Sequence, residues 1–307
     1  MEEEIHYTVH TNMVYLLIIV AIFLLLSRIV VGLFDLPLFL DGSRDVDFKI
    51  LLLGLKNGLV NFYDPVNVPE GVPDWPPYYL YFWYFIFYPM GLIPFEISIY
   101  IWDILRLVIS CYIVLKAFKI IKNRTNLLWF YFTILVGFLI DGWYNNCNFL
   151  LIFFLFMSYN SLEKDNMWLS GIFFALSTIK INSVIFIPVL LLIRKIKFKD
   201  LIYYIVPFVV LCLPYIIFPD YLFQMLNNWS DSTPGIQGLT PLDPIIWKAV
   251  QPSHLMFLGF MLILIFEYLE KFEKGHKIRA IIVVIIIFFY IYISITVWIL
   301  PLIFNYY

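Results

Sequence analysis

The chain has 307 residues, is 63% hydrophobic and 14% charged, and carries a formal net charge of −2. Soluble domains carry roughly 25% charged residues, and runs of about 20 apolar residues mark bilayer spans, so this balance excludes a soluble enzyme. The lack of basic excess excludes a nucleic-acid binder, and the ~10-residue alternating segments of a membrane β-barrel are missing.

Residues 13–33 form the first predicted span. It is too long for a cleavable signal and lacks a small-residue cleavage site. Next comes the longest stretch away from the apolar spans, 34–94, which holds Asp41, Asp45 and Asp47. Within it, 46–59 is apolar enough for a short helix lying on the membrane surface. Pro76-Pro77 then stops one segment and starts another, because proline suits an extended residue or a first helical turn. The segment 78–92 is highly aromatic and closes at Pro89, Gly91 and Pro94, so it reads as a second interfacial helix at headgroup depth.

Further spans are predicted over 97–115, 127–140, 148–159, 167–180, 182–193, 201–218, 253–269 and 278–300. Three basic turns punctuate them: Lys116 to Arg124, Arg194 to Lys199, and Lys271 to Arg279. Basic turns stay cytoplasmic. They share one side only if 78–92 does not cross and 167–193 crosses twice as two short helices. The expectation is an all-α polytopic membrane protein with about nine crossings and two interfacial helices in the first outer loop. It is a single transmembrane domain, 1–307, with no separate soluble domain. The amino terminus is inside, and the outer face carries 34–94, the turn 141–147 and the loop 219–252. Arg28, near the outer end of the first span, runs against this bias.

The candidate chemistry collects on that outer face. Asp45 and Asp47 stand beside apolar surface, where a partly desolvated carboxylate gains basicity. Asp45 equally suits the N-cap of the helix that follows. Lys180 lies inside an apolar hairpin, where a charge costs roughly 2.5–3.5 kcal/mol on insertion scales and marks function. It closes one short helix, and Asn182 and Ser183 open the next, together a phosphate site at a break between half-spans. The competing reading is a lysine snorkelling to the interface. Asp103 and Arg106, three apart, either pair with each other or leave Arg106 for substrate. Asn145, Asn146 and Asn148 are either an amide cluster for substrate or a helix cap. His254 is a phosphate contact or an interfacial histidine. The histidines (His6, His10, His254, His276) are scattered, and Cys111, Cys147 and Cys212 have no zinc or disulfide spacing, so no metal site is expected.

The order of these features resembles the GT-C class of membrane glycosyltransferases, and within it the mannosyltransferases that use polyprenyl-phosphate-mannose. The resemblance rests on Asp47-Phe48, Gly58 to Tyr63-Asp64, Trp75-Pro76-Pro77, Asn148-Phe149-Leu150-Leu151 and Gly171 to Lys180, in order over 13–195. Trp75 and Asn145-Asn146 depart from the family's tyrosine and Gly-Gln. The resemblance implies an inverting transfer of a hexose, mannose favoured, from a polyprenyl-phosphate donor to a lipid-linked or surface glycan acceptor. Asp47 would be the general base, with Asp45 or His254 assisting. Lys180, Asn182 and His254 would hold the donor phosphate, and Asn148, Asn145, Trp75, Tyr78 and Arg106 would line the substrate. No cofactor is required, and a divalent cation is accommodated. The setting is the plasma membrane of an archaeon or bacterium, with membrane lipids as partners and the site outside. The rival reading is a lipid or solute transporter, or a flippase, without chemistry.

Overall fold

The computed structural model describes residues 2–34, 45–58, 61–64, 79–231, 254–272, 275, 277–279 and 281–282. Asp41, Trp75, Tyr78 and nearly all of the predicted span 278–300 lie outside the described residues. Within them the chain is helical and has no strand. α1 (Glu2–Phe34) leads to α2 (Val46–Lys56), α3 (Tyr81–Gly91), α4 (Phe95–Ala117), α5 (Arg124–Tyr144), α6 (Asn148–Leu162) and α7 (Met167–Ser177). A 3-10 turn (Ile181–Ile185) enters α8 (Phe186–Leu192), and a second (Phe198–Leu201) enters α9 (Ile202–Leu211). α10 (Pro214–Ile217), α11 (Pro219–Asp231) and α12 (Leu255–Leu269) complete the described elements.

Three segments are long and apolar enough to cross a bilayer: Val9–Val31, Phe95–Ala117 and Arg124–Tyr144. The outward faces of α1 and α4 expose leucine, isoleucine and phenylalanine, as lipid contact requires. α1 packs on α4 and α5, α12 on α5 and α6, and α7 lies between α6 and α9. At the α7–α9 crossing a Cβ on Gly171 would overlap the carbonyl oxygen of Tyr203, so glycine lets the two backbones touch. Beside it Ser158, Ser170 and Tyr204 form a hydroxyl chain, at 3.1 and 2.9 Å, across α6, α7 and α9.

The ends of these helices form two groups. At one end the three basic turns meet: the Lys122 and Asn123 amides donate to Glu267 (3.2 and 3.1 Å), Arg279 pairs with Glu270 (2.7 Å), and Lys195 pairs with Glu163. Tyr159 ties these turns together, bonding Glu163 within electrostatic reach of Glu267. Towards the other end lie the carboxylates and amides of the site.

Four places differ from the sequence expectation: α1 begins at Glu2 and not at residue 13, the expected loop 219–252 opens with the helix α11, and α5 and the segment 201–218 end differently. α5 continues through Tyr144, so Asp141 belongs to its last turn and not to an exposed loop. The segment 201–218, read as one span, is broken between α9 and α10. Pro214 has no N–H for an interior hydrogen bond and starts a new helix instead.

Candidate active site

The site is assembled on the turn between α5 and α6. α5 ends with Asn145 in the left-handed region, φ 55°, where asparagine is tolerated better than most residues. The Asn145 and Asn146 amides both donate back to the Asp141 carbonyl, Asn146 at 3.0 Å. The Asp141 carboxylate accepts the Asn148 amide, at 3.2 Å, and that of Phe149. A side chain from one helix thereby caps the next, and Asn145, Asn146 and Asn148 are all buried around the turn.

The start of α2 docks on this turn through backbone and side chains together. The Asp45 amide donates to the Trp143 carbonyl at 3.1 Å. Asn145 donates to the Asp45 carboxylate at 2.7 Å, and Asn146 donates to that of Asp47. Two adjacent amides thus grip two alternating acids. Asp45, at φ 61°, is also left-handed, so the loop turns sharply as it enters α2.

The two acids have different surroundings. Asp45 is buried and receives both Nε and Nη2 of Arg28, at 3.1 and 3.0 Å, in a bidentate pair. Arg28 also pairs with Asp103 at 2.5 Å, and Asp103 with Arg106 at 2.8 Å. The Arg28 charge that runs against the sidedness rule is therefore neutralised inside the protein. Asp47 is half-buried and has no salt bridge among the described residues. Desolvation raises its pKa above the usual carboxylate range, against the opposing pull of Lys180 and the Asn146 hydrogen bond. Of the pair, Asp47 is the one that no cation bonds among the described residues.

Lys180 is buried and stands in extended backbone between α7 and the 3-10 turn. Ser177 and Thr178 prepare that break by returning their hydroxyls to the Phe174 and Ala175 carbonyls, 2.6 Å each. The Lys180 charge acts on Asp47, Asp141 and Cys147, yet among the described residues no hydrogen bond or ion pair holds it. Asn182, partly buried, follows in the 3-10 turn, and its neighbour Ser183 is buried with an unbonded hydroxyl.

Asn148 opens α6 with its side-chain amide fully buried and neither polar atom partnered in the described residues. Its N-cap is Cys147, which has no side-chain cap bond, so Asn148 does not act as the cap. Arg106 is enclosed by protein: one nitrogen meets Asp103, another meets Asn145, and Nε faces Asp141 at 3.4 Å. Its charge is thereby shared between the Asp103 and Asp141 carboxylates and the Asn145 amide oxygen. His254 is buried where α12 begins, its ring 5.0 Å from Phe257.

The structure thus joins Asp45, Asn145 and Arg106 by direct bonds and Asp47 to the neighbouring Asn146, with Lys180 in electrostatic reach of Asp47. The sequence reading passed over Arg28 and Asp141 as parts of the site. The available signals were a charge in the first apolar run and an acid in the last turn of a span before two asparagines. An immediate consequence concerns Asn145. Asn145→Ala removes the bridge between Arg106 and Asp45 and puts alanine, which tolerates the left-handed region less well than asparagine, at φ 55°. It is expected to cost about 2–4 kcal/mol, summing a lost charged hydrogen bond and left-handed strain. Denaturation of the detergent-solubilised protein checks this, and Asn145→Gly should recover the strain part alone.

No curated protein and no solved structure matches the chain. Residues 78–300, well over half of it, match the model of glycosyltransferase family 87. That region contains Arg106, Asp141, the asparagine turn, Lys180 and His254, while Arg28, Asp45 and Asp47 precede it. The chain belongs to glycosyltransferase family 87, as a membrane glycosyltransferase of the GT-C type.

Proposed function

We propose that the protein transfers a hexose, mannose favoured, from a polyprenyl-phosphate donor to a lipid-linked or surface glycan acceptor, with inversion. The observation that carries this reading is the desolvated carboxylate of Asp47 within electrostatic reach of the buried Lys180, which no bond holds among the described residues. Asp47 takes the proton of an acceptor hydroxyl as its oxygen attacks the anomeric carbon. The bond from that carbon to the phosphate oxygen breaks on the opposite face, and its electron pair leaves with the polyprenyl phosphate. Lys180, with Asn182 beside it, balances the charge that grows on the departing phosphate. Asn148 offers an unpaired amide to a sugar hydroxyl, since a buried amide without a partner costs about 1–3 kcal/mol. Asp45 holds the loop, His254 is a further contact for the donor phosphate, Trp75 and Tyr78 are the aromatic contacts for the substrate, and no cofactor is required.

In this reading about nine segments cross the bilayer, and α2 and α3 lie at its outer surface. The basic turns face the cytoplasm of an archaeal or bacterial plasma membrane, and the site faces out. Nucleotide sugars are not normally available on that side, so a lipid carrier is the consistent donor.

The test is transfer in detergent, where no gradient exists to drive a transporter. Purified protein is given radiolabelled polyprenyl-phosphate-mannose, or the nucleotide-linked sugar, with a lipid extract as acceptor. Label is expected in the acceptor from the lipid donor alone. Transfer only from the nucleotide sugar overturns the donor assignment, and binding of the lipid donor without transfer or hydrolysis favours the transporter reading.

A further inference from the structure

The segment after the broken span has an unusual surface. α11 turns by about 100° per residue, which divides its positions into three faces. Tyr221, Met225 and Asn228 form the face turned to the protein. Leu222, Phe223 and Leu226 form an exposed apolar face, Phe223 at 65% exposure. Asp220, Gln224 and Asn227 form an exposed polar face on the other side. α10, one residue before α11, is apolar and exposed as well, with Ile216 at 75% and Ile217 at 71% exposure.

The protein-facing residues are firmly held. Tyr63 donates to the Tyr79 carbonyl at 2.6 Å, so its oxygen receives the Tyr215 hydroxyl at 2.8 Å. The Tyr215 oxygen in turn accepts the Tyr81 amide at 2.9 Å. Asn228 donates to the Tyr63 carbonyl at 2.8 Å, and the Tyr221 ring lies 5.1 Å from that of Tyr81. Tyr79 reaches Cys147 at 3.8 Å, beside the asparagine turn. The helix pair is therefore clamped to the same loop region that carries the site.

We propose that α10 and α11 lie along the bilayer surface, with Ile216, Ile217, Leu222, Phe223 and Leu226 in the acyl chains and Asp220 and Gln224 in water. A helix placed in bulk water would not expose a contiguous apolar side of this size. A helix crossing the bilayer would not carry a full polar side toward lipid. Flanking faces of opposite polarity, with the third face clamped to the protein, are what the headgroup boundary selects. The occupant of the apolar side is the outermost acyl region of the leaflet. Through the Tyr63–Tyr215 clamp this surface helix sets the height of the first loop above the membrane.

The test places single cysteines at 216, 220, 222, 223, 224 and 226 in the Cys111→Ser, Cys212→Ser protein, retaining the buried Cys147. Each is spin-labelled, and the full chain is reconstituted in phospholipid nanodiscs. Collision with dissolved oxygen, which concentrates in acyl chains, is compared with collision with a water-soluble nickel chelate. The oxygen-to-nickel ratio is expected to be several-fold higher at 216, 222, 223 and 226 than at 220 and 224. Equal nickel access at 223 and 224 overturns the proposal by placing the helix in water. Low access of both reagents at 223 and 226 overturns it by revealing a protein cover, a second copy included. The readout involves no sugar transfer, so it stands apart from the assignment of donor and acceptor.

Discussion

Asp47→Asn is expected to reduce hexose transfer by about 10²–10⁴-fold, the range that a positioned general base contributes. The replacement keeps the shape and a carbonyl oxygen to accept the Asn146 hydrogen bond, so the start of α2 should still dock on the turn. What it removes is the site for the acceptor proton. Wild-type transfer should rise with pH through the Asp47 pKa, because the base must be ionised to act. That pKa lies above its ordinary value of about 3.9, because burial disfavours the charged form more than Lys180 and Asn146 favour it. The variant should lose this acidic limb along with its rate. Initial rates with the lipid donor across pH check both. Near-wild-type transfer by Asp47→Asn would remove it from the role of base.

Lys180→Met is expected to lower kcat by about 10²–10³-fold, the scale seen when one stabilising donor is taken from a site of developing negative charge. Methionine keeps the apolar stem and removes only the ammonium, which acts on its neighbours through its charge and is held by no bond among the described residues. The fold should therefore survive. A second consequence follows from the charge itself. Lys180 lowers the pKa of Asp47, so its removal raises that pKa further and moves the acidic limb of the rate profile to higher pH. Lys180→Arg retains the charge and should keep the limb in place even where its fork fits the phosphate poorly. A fall in rate with no change in the limb would separate Lys180 from Asp47 and confine it to the donor.

These expectations depend on telling Asp45 from Asp47, which the sequence presents as equals two positions apart. In the folded chain Asp45 is spent on Arg28 and Asn145, whereas among the described residues Asp47 bonds just the Asn146 amide and feels the Lys180 charge without a bond to it. The distinction rests on residues 17, 99 and 100 positions away. No local pattern encodes such partners. The same holds for Arg28, which local charge rules read as a misplaced cation. Its partners, Asp45 and Asp103, come from two other elements. Arg106 and Asp103 were legible as a pair because i,i+3 neighbours meet on any helix. The further contacts of Arg106 with Asp141 and Asn145 required α5 to run beside α4.

The sequence by itself determined that this is an all-α membrane protein, where most helices begin, and that a break falls at Lys180. Each follows from terms local along the chain: apolar length against bilayer thickness, proline and asparagine at helix ends, and the cost of a charge in an apolar run. Only the tertiary structure decided which acid is neutralised and which keeps its basicity. It also decided that Asp141 caps the next helix, that 201–218 breaks, and that the following segment folds back onto Tyr63. The physical reason is that a buried polar group is satisfied by whatever the fold brings within about 3 Å, and sequence distance has no bearing on that choice.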